Sequence, residues 1–468
     1  MRKFGKRLIE VSMVAIFAFG MVACGNDKEN NNNSDKENAP VAEQTATTEE
    51  ATTEEEDVTV LTVLTTDAHL VDTKYQEYKT TFEADHEGVE IRFEAIANYD
   101  REVTKRLENG TAADVMLIPK NLEISQLPQY FEPIGTVEEL SESYREAYLY
   151  EKAVDGQVYG LPRYMNVYGV AYNEIVMAKA GTTTLPTTSE EFLGMLRRVH
   201  NTQPEVIPYY TGYGNGEWLH LWQNNVWGAV TADADYRNNG IVAEVDPFTT
   251  DKPNYVVHEL LYDVVSFELC EKFNDGKSKK QQFRLLNRGE IGCMMLSSDY
   301  LYELQNADVN PDDISFMPFP YNVEGQQYAT VEADYSYAIN VNSENKELAQ
   351  EWITYLLKKS GFAKSEGAIS IKKSDALPDV LKNFENVEFV VINAATADNA
   401  GKYDELNRLS GIYLDEDVEK ERIIQAARGK SGETFEDIML DWNTRWQNAL
   451  NGIQYEEVGA TGFEPATS

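Results

Sequence analysis

Alternation of strand-like and helix-like runs constrains the fold of this chain more than any other feature of its sequence. Three β-rich runs and two helical runs alternate at residues 58–65, 71–85, 89–95, 99–108 and 113–118. The second strand alternates apolar and charged residues with a period of two, which is typical of a half-exposed strand. A β-α-β-α-β order predicts a parallel sheet and therefore an α/β fold.

Polar and aromatic side chains follow each of these strands. Asp67 comes after the first strand, Tyr99 after the second and Lys120 after the third. Ligands of open parallel sheets bind beyond the carboxyl ends of the strands. The sequence therefore predicts a ligand site at this edge of the sheet.

The pattern restarts in the middle of the chain. A strand-like run at 206–211 is followed by the loop 212–216 (GYGNG), which exposes Tyr213, Glu217 and Trp218 around a predicted helix start. The loop lacks the GxGxxG spacing and the Gly-Lys-Ser/Thr ending of phosphate-binding loops, so nucleotide binding is not expected.

Three more strands are predicted at residues 290–296, 314–319 and 336–341, and the chain from residue 375 onward is predicted to be mostly helical. Further candidate site residues border these strands: Asp299, Tyr300, Asp334 and Tyr335. The folded body of about 400 residues is larger than one hydrophobic core, so two domains are expected.

The first 24 residues resemble a bacterial lipoprotein signal. A basic start precedes a short apolar run, and Met21-Val22-Ala23-Cys24 resembles a lipobox, with Met21 in place of the usual Leu. We expect removal of residues 1–23 and lipidation of Cys24. Residues 24–56, rich in Asn, Glu and Thr, are predicted to be a disordered tether, and residues 455–468 an unstructured tail.

Charge and motif content exclude several classes of function. The net charge of −38 provides no basic face for nucleic acid. The five His are scattered without HExxH, and no GxSxG is present, so the chain is not expected to be an enzyme. No Cys/His cluster indicates a metal, and no cofactor is expected. Cys270 and Cys293 either form a disulfide or remain buried free thiols.

Four short motifs occur in a characteristic order. They are residues 158–162 (VYGLP), Tyr172-Asn173, Gly181 followed by 186–192 (PTTSEEF), and a strand and helix start at 340–352. Together they resemble the extracellular solute-binding proteins of ABC importers, in the large sugar-binding group that includes maltose-binding protein. The resemblance covers about residues 58–450, and Ser189 replaces the aromatic residue of the family's helix-start motif.

The resemblance implies a two-lobed α/β fold of the periplasmic-binding-protein type (type II-like), with a ligand cleft between lobes joined by a multi-strand hinge. Lobe one is expected at 58–164 plus 333–368 and lobe two at 165–332 plus 369–452. The hinge crossings are expected near Arg163, Asp334 and Ala368. Hinge closure would trap the ligand.

The implied function is the lipid-anchored, monomeric binding component of an ABC transporter on the outer face of the cytoplasmic membrane. Its expected partners are a carbohydrate, which we expect to be an oligosaccharide, and a membrane permease. Aromatic faces and directed polar groups suit sugar recognition, and Arg163 and Lys120 leave room for an acidic sugar. The expected ligand-binding residues are Asp67, Tyr99, Lys120, Arg163, Tyr164, Tyr213, Glu217, Trp218, Asp299, Tyr300, Asp334 and Tyr335.

Other functions remain open at this point. The same fold could hold a polyamine, a peptide or a metal ion, and Tyr209-Tyr210 is similar to iron-binding tyrosine pairs. The chain could also serve a membrane sensor instead of a transporter. A glycoside-active enzyme would need only two carboxylates.

Overall fold

Two six-stranded sheets organise the residues that the computed structural model describes, which are 58–214, 218–274 and 276–453. The predicted signal, Cys24, the tether, Glu217 and the tail lie outside these residues. The strands are β1 Thr59–Thr65, β2 Val89–Ala95, β3 Val115–Leu117, β4 Phe131–Glu132, β5 Gly135–Thr136, β6 Ala153–Val154, β7 Gln157–Val158, β8 Leu161–Pro162, β9 Met165–Asn173, β10 Ile207–Tyr209, β11 Ile291–Ser297, β12 Ile314–Met317, β13 Tyr328–Ala333, β14 Ser336–Asn340 and β15 Glu388–Val391.

Helices cover the faces of both sheets. They are α1 Ala68–Val71, α2 Lys74–Ala84, α3 Tyr99–Glu108, α4 Leu127–Tyr130, α5 Val137–Ser141, α6 Glu146–Leu149, α7 Glu174–Lys179, α8 Ser189–Thr202, α9 His220–Asn225, α10 Pro253–Ser266, α11 Lys279–Asn287, α12 Leu301–Gln305, α13 Lys346–Lys358, α14 Phe362–Ser365, α15 Lys402–Ser410, α16 Val418–Ala427 and α17 Phe435–Leu450. None of the helices within the described ranges is both long and apolar enough to cross a membrane.

The first sheet has the order β2-β1-β3-β14-β4, with β8 paired to β14. β1 runs parallel to both β2 and β3, so the predicted parallel start is confirmed. β2 and α3 have the predicted bounds. β14 is antiparallel to β3 because the chain enters it from the other sheet.

The second sheet has the order β10-β11-β9-β13-β15, with β12 also paired to β9. The chain beyond residue 375 is mostly helical, as predicted, but it also contains β15, which runs parallel to β13 and was not predicted. The Phe and Val residues of β15 are typical of a strand. β15 completes the second sheet beside the cleft described below.

The chain crosses between the sheets from β8 to β9 and from β13 to β14. The two crossings bond to each other, since the Arg163 amide donates to Tyr335 O at 2.8 Å and the Asp334 amide donates to Tyr164 O at 3.4 Å. Met165 and Ile369 pair through both of their amides. The sheets therefore belong to two lobes that are joined by adjacent, hydrogen-bonded segments.

Cys270 and Cys293 are free, buried thiols. Both are β-ladder neighbours of Tyr209, with Cys270 on one side of that residue and Cys293 of β11 on the other. Neighbouring strands are about 4.8 Å apart, so the two cysteines are separated by roughly twice that distance, beyond the Cα separation of about 7 Å that a disulfide can bridge. Burial raises the pKa of the Cys270 thiol to about 12.

His258 on α10 makes stability dependent on pH. Its side chain is fully buried, its Nδ1 is 2.7 Å from Asn254 O, and its Nε2 has no partner among the described residues. Burial, assisted by the charge of Lys420, lowers its pKa to about 3. The unfolded chain binds this proton near pH 6.5, so stability is lost as the pH falls from about 6.5 toward 3.

Between pH 7 and pH 5 we expect His258 to reduce the free energy of unfolding by about 2 kcal/mol. Urea denaturation of the wild type and of His258→Phe at both values measures this. The free energy of unfolding that is lost between pH 7 and pH 5 should be about 2 kcal/mol smaller in His258→Phe than in the wild type. An equal loss in both proteins would contradict the assignment.

Candidate functional site

A cavity of about 520 Å³ lies between the two lobes. Its floor is β13 and the crossing into β14, and each lobe supplies one wall. The lobe of the first sheet contributes Ile118, Lys120, Ile124, Glu151, Lys152 and Ser336. The other lobe and the crossing contribute Tyr168, His220, Asn224, Trp227, Arg237, Asn238, Thr330, Val331, Glu332, Ala333, Asp334, Tyr335, Val391, Ile392, Asn393, Ala394 and Asp415.

Arg163 anchors the crossing beside the cavity. Its guanidinium is 3% exposed and forms ion pairs with Asp67 at the end of β1 and with Asp334 on the other crossing. Burial alone would raise the pKa of Asp67, but the charge of Arg163 and hydrogen bonds from Tyr75 and Thr66 outweigh burial and hold that pKa below its ordinary value. Arg163 therefore joins three separate segments of the hinge.

Tyr335, on the crossing from β13 to β14, provides an aromatic surface beside the first lobe. The ammonium of Lys120 lies 4.6 Å from the centre of its ring. Its hydroxyl donates to Asp100 at 3.4 Å, and Tyr99 packs against its ring at 5.9 Å. Burial, together with the charges of Asp100 and Asp334, raises the pKa of Tyr335 to about 12, so its hydroxyl remains a donor at neutral pH.

The opposite wall is built on two π-helical turns, Val226–Val230 directly after α9 and Tyr236–Gly240. Such turns are rare and occur frequently at functional sites. The first carries Trp227 and the second carries Arg237 and Asn238, all of which line the cavity.

The first π-helical turn is held close to β13. A Cβ added to Gly228 would lie 2.8 Å from Val390 Cβ and 2.9 Å from Thr330 Oγ1, so only glycine allows this approach. The Ala229 amide donates to Thr330 Oγ1 at 3.1 Å. This contact fixes the position of the neighbouring Trp227.

Trp227 is 3% exposed, and its Nε1 has no hydrogen-bond partner among the described residues. Tyr403 packs on the Trp227 ring edge-to-face at 5.5 Å, and Arg237 lies 4.5 Å from the Tyr403 ring. Asp415 completes this wall, accepting from the Tyr403 hydroxyl at 2.9 Å and lying 3.5 Å from the Arg237 guanidinium.

Glu332 is an exposed carboxylate on the cavity floor. It accepts a hydrogen bond from the Tyr168 hydroxyl, and it makes no ion pair with any residue in the described ranges. By contrast, Glu151 pairs with Lys152 at 3.2 Å. The cavity therefore offers acceptors and aromatic surface, while most of its charges are already paired inside the protein.

Three of the predicted site residues, Lys120, Asp334 and Tyr335, line the cavity. Arg163 and Asp67 lie in the hinge. Tyr164 packs at 5.7 Å against Phe362, and the Tyr99 hydroxyl accepts from the Leu117 amide at 2.8 Å. These four side chains support the hinge or the sheet and do not line the cavity.

Of the remaining predicted residues, Glu217 lies outside the described residues, and four lie elsewhere in the second lobe: Tyr213, Trp218, Asp299 and Tyr300. Trp218 is 3% exposed and packs on Phe283 and Tyr300, where its indole donates to Gln282. Tyr213 accepts from Gln425. Asp299 is exposed at the end of β11 and is not part of the lining. No cluster of three or more metal-binding side chains occurs within the described ranges.

A family of proteins matches this chain over most of the body just described. The family profile for bacterial extracellular solute-binding proteins matches residues 67–361, more than half of the chain. A binding protein of Brucella abortus is 22% identical over 334 residues, which is 69% of this chain and 78% of that protein.

Solved structures share the fold across the whole body. BlMnBP1 from Bifidobacterium animalis subsp. lactis, the binding protein of an ABC transporter solved with mannobiose, is 28% identical, with a TM-score of 0.69 over 85% of this chain and 96% of that one. The manno-oligosaccharide-specific BlMnBP2 of the same organism, solved with mannotriose, is 29% identical with equal coverage and TM-score. RafE of Streptococcus pneumoniae, at 14% identity, covers 84% of this chain and 98% of its own with a TM-score of 0.64.

Proposed function

Because this chain belongs to the bacterial extracellular solute-binding protein family, whose members bind solutes and are not enzymes, we propose that it captures a carbohydrate for an ABC importer. The ligand would lie in the cavity between the lobes. The observation that carries the proposal is that two aromatic side chains, Tyr335 on the crossing and Trp227 in the second lobe, line one polar cavity. The manno-oligosaccharide complexes of BlMnBP1 and BlMnBP2 support the same ligand class.

The charges around the cavity favour a neutral sugar over an acidic one. Arg163 is buried between two carboxylates and Arg237 lies beside Asp415. Lys152 is paired with Glu151. Glu332 adds a negative charge that has no ion pair within the described part of the chain. A uronate would meet this carboxylate, and Lys120, whose ammonium lies over the Tyr335 ring, is the cation of the lining that has no carboxylate partner among the described residues. Sugar hydroxyls, by contrast, can donate to Glu332.

The size of the cavity is consistent with an oligosaccharide. Its volume of about 520 Å³ lies within the range of about 300–1,000 Å³ that is typical of small-molecule sites. A polyamine is less well suited, because only Glu332 could pair with one of its several ammonium groups, whereas Glu151, Asp334 and Asp415 already have cationic partners. Closure of the lobes around the hinge would enclose the sugar, and the closed form would deliver it to a membrane permease.

We expect mannobiose and mannotriose to stabilise the protein in a thermal-shift screen that also contains oligogalacturonates, spermidine and short peptides. A ligand at about 100 times its Kd adds roughly 2.7 kcal/mol to the stability of the native state, which moves Tm by a few degrees in a protein of this size. A shift with uronates but not with neutral sugars would overturn the charge argument. A shift with spermidine or peptides alone would overturn the carbohydrate assignment.

We also propose that Cys24 carries a lipid and that residues 24–56 tether the body to the outer face of the cytoplasmic membrane. The support is the lipobox-like sequence at 21–24 and the polar, low-complexity segment after it. As a flexible coil of about 32 residues, the tether would reach roughly 30 Å. Labelling with palmitate should mark the wild type and leave Cys24→Ser unlabelled; label in both would refute the site.

A further inference from the structure

Lys420 is a buried cation that lies beside the cavity but does not line it. It is on α16, and its side chain is fully inaccessible to solvent. Its ammonium donates to Leu414 O and, at 2.7 Å, to Glu416 O. Burying a lysine is costly unless its charge is satisfied. Here the cost is offset by two carbonyl groups of one loop, residues 411–417, which connects α15 to α16.

This loop brings one carboxylate to the ligand site and a second to a residue of its lining. Asp415 lines the cavity and contacts Tyr403 and Arg237. Asp417 accepts from the His220 amide at 2.7 Å, and the His220 ring, 3.6 Å from the same carboxylate, also lines the cavity. The backbone that Lys420 holds is therefore the backbone that carries these two side chains.

Other contacts also hold the backbone of this loop, since the Glu416 amide donates to Tyr413 O at 2.8 Å and Arg445 donates to Gly411 O at 3.2 Å. The Leu414 amide donates to Asn407 Oδ1 at 2.8 Å and the Ile412 amide donates to Ser410 Oγ at 3.3 Å. Tyr413 has a φ of 50°, in the left-handed region that a non-glycine residue adopts only when its surroundings hold it there. Lys420 contacts the carbonyls of Leu414 and Glu416, on either side of Asp415, and so holds the backbone of the loop directly at Asp415.

We propose that Lys420 is a positioning residue for the ligand site, which fixes the loop 411–417 from inside the lobe so that Asp415 keeps its place at the cavity and Asp417 keeps its contact with His220. The proposal rests on the proposed function, in that the cavity is the ligand site. Binding side chains must be held within about 0.5 Å of their working geometry by the residues behind them. Lys420 reaches no ligand and acts only through the loop.

The charge on Lys420 is consistent with this role. Burial lowers its pKa to about 8, while the carboxylates of Asp415, Asp417, Glu419 and Glu416 oppose the shift. At neutral pH the amine is therefore mostly protonated. An ammonium donating to carbonyl oxygens makes stronger hydrogen bonds than a neutral donor.

The test uses the full-length protein with mannotriose as the probe. Calorimetric titration of Lys420→Met should show Kd raised about 10- to 50-fold. The same substitution in an Asp415→Asn background should raise Kd less than threefold further, because the loop then no longer carries the carboxylate. Lys372→Met is the matched control. It removes an ammonium that donates to Lys358 O at 3.2 Å, pairs with Asp375 at 3.3 Å and belongs to no lining residue, and it should leave Kd unchanged.

Hydrogen exchange of the unliganded protein provides an independent readout. In Lys420→Met, amides of residues 411–417 should exchange at least tenfold faster, while those of α17 keep their wild-type rates. If Lys420→Met fails to fold, Lys420→Gln, which keeps one donor, should give an intermediate Kd and exchange rate. Unchanged Kd, fully additive effects with Asp415→Asn, or unchanged exchange in the loop would each overturn the proposal. Failure of the wild type to bind mannotriose would instead overturn the proposed ligand, and the exchange rates would still decide the role of Lys420.

Discussion

Replacing Arg163 with Met is expected to lower the free energy of unfolding by about 3–5 kcal/mol, the usual cost of removing one partner from a buried ion pair. Arg163 is 3% exposed, and its partners Asp67 and Asp334 are 15% and 22% exposed. Without the guanidinium, two carboxylates remain close together in a poorly solvated hinge. Chemical denaturation at neutral pH measures the loss.

Two comparisons show whether the loss arises from the buried charges. Arg92→Met removes an exposed pair with Glu90 in the same lobe and should cost at most about 1 kcal/mol. Adding Asp67→Asn and Asp334→Asn to Arg163→Met should recover a large part of the stability, because the uncompensated carboxylates are then neutral. No recovery would mean that Arg163 acts by packing on Tyr164 and Phe362 rather than by charge.

Replacing Trp227 with Ala is expected to weaken sugar binding at least about 30-fold. Truncating a central aromatic contact typically costs 2 kcal/mol or more, and each 1.4 kcal/mol corresponds to a factor of ten in Kd. Trp227→Phe keeps an aromatic surface but loses the Nε1 donor, which has no partner in the described part of the protein. We expect about a five- to tenfold loss for this variant, near the value of one hydrogen bond.

Trp218→Ala is the matched control for Trp227→Ala. Both indoles are 3% exposed in the same lobe, but Trp218 packs on Phe283 and Tyr300 and does not line the cavity. Both substitutions should lower Tm, as truncation of a buried tryptophan does. Only the change at Trp227 should raise Kd in calorimetric titrations below the unfolding range. Equal losses of affinity would mean that the Trp227 effect is general destabilisation.

The fold could be predicted where local periodicity and strand order agree. β2 and α3 were predicted with their observed bounds, since period-two alternation and an Asn-Gly stop are local signals. β15 was missed although its signal was present in residues 387–392 (VEFVVI), because the helical character of the surrounding chain dominated the interpretation. Cys270 and Cys293 could not be assigned, because their separation depends on the strand between them.

Candidate site residues could be predicted from the sequence only where they border a predicted strand or crossing. Lys120, Asp334 and Tyr335 were predicted from strand ends and crossings, which are local features, and they line the cavity. Trp227 and Asp415 were not, because they come from regions with no strand pattern, and Asp415 reaches the cavity through packing of α15 and α16 in the C-terminal part of the chain. Sequence periodicity cannot show which distant helices meet the edge of a sheet.

The π-helical turn at Val226–Val230 has a consequence for how ligand choice can change in related chains. A π-turn holds one more residue than an α-turn, and each residue rotates an α-helix by about 100°. Deleting one residue here would turn Trp227 relative to α9 and alter the cavity wall without replacing any lining side chain. Among relatives, gain or loss of a single codon in this segment is therefore a route to a new cargo that comparison of aligned side chains alone would overlook.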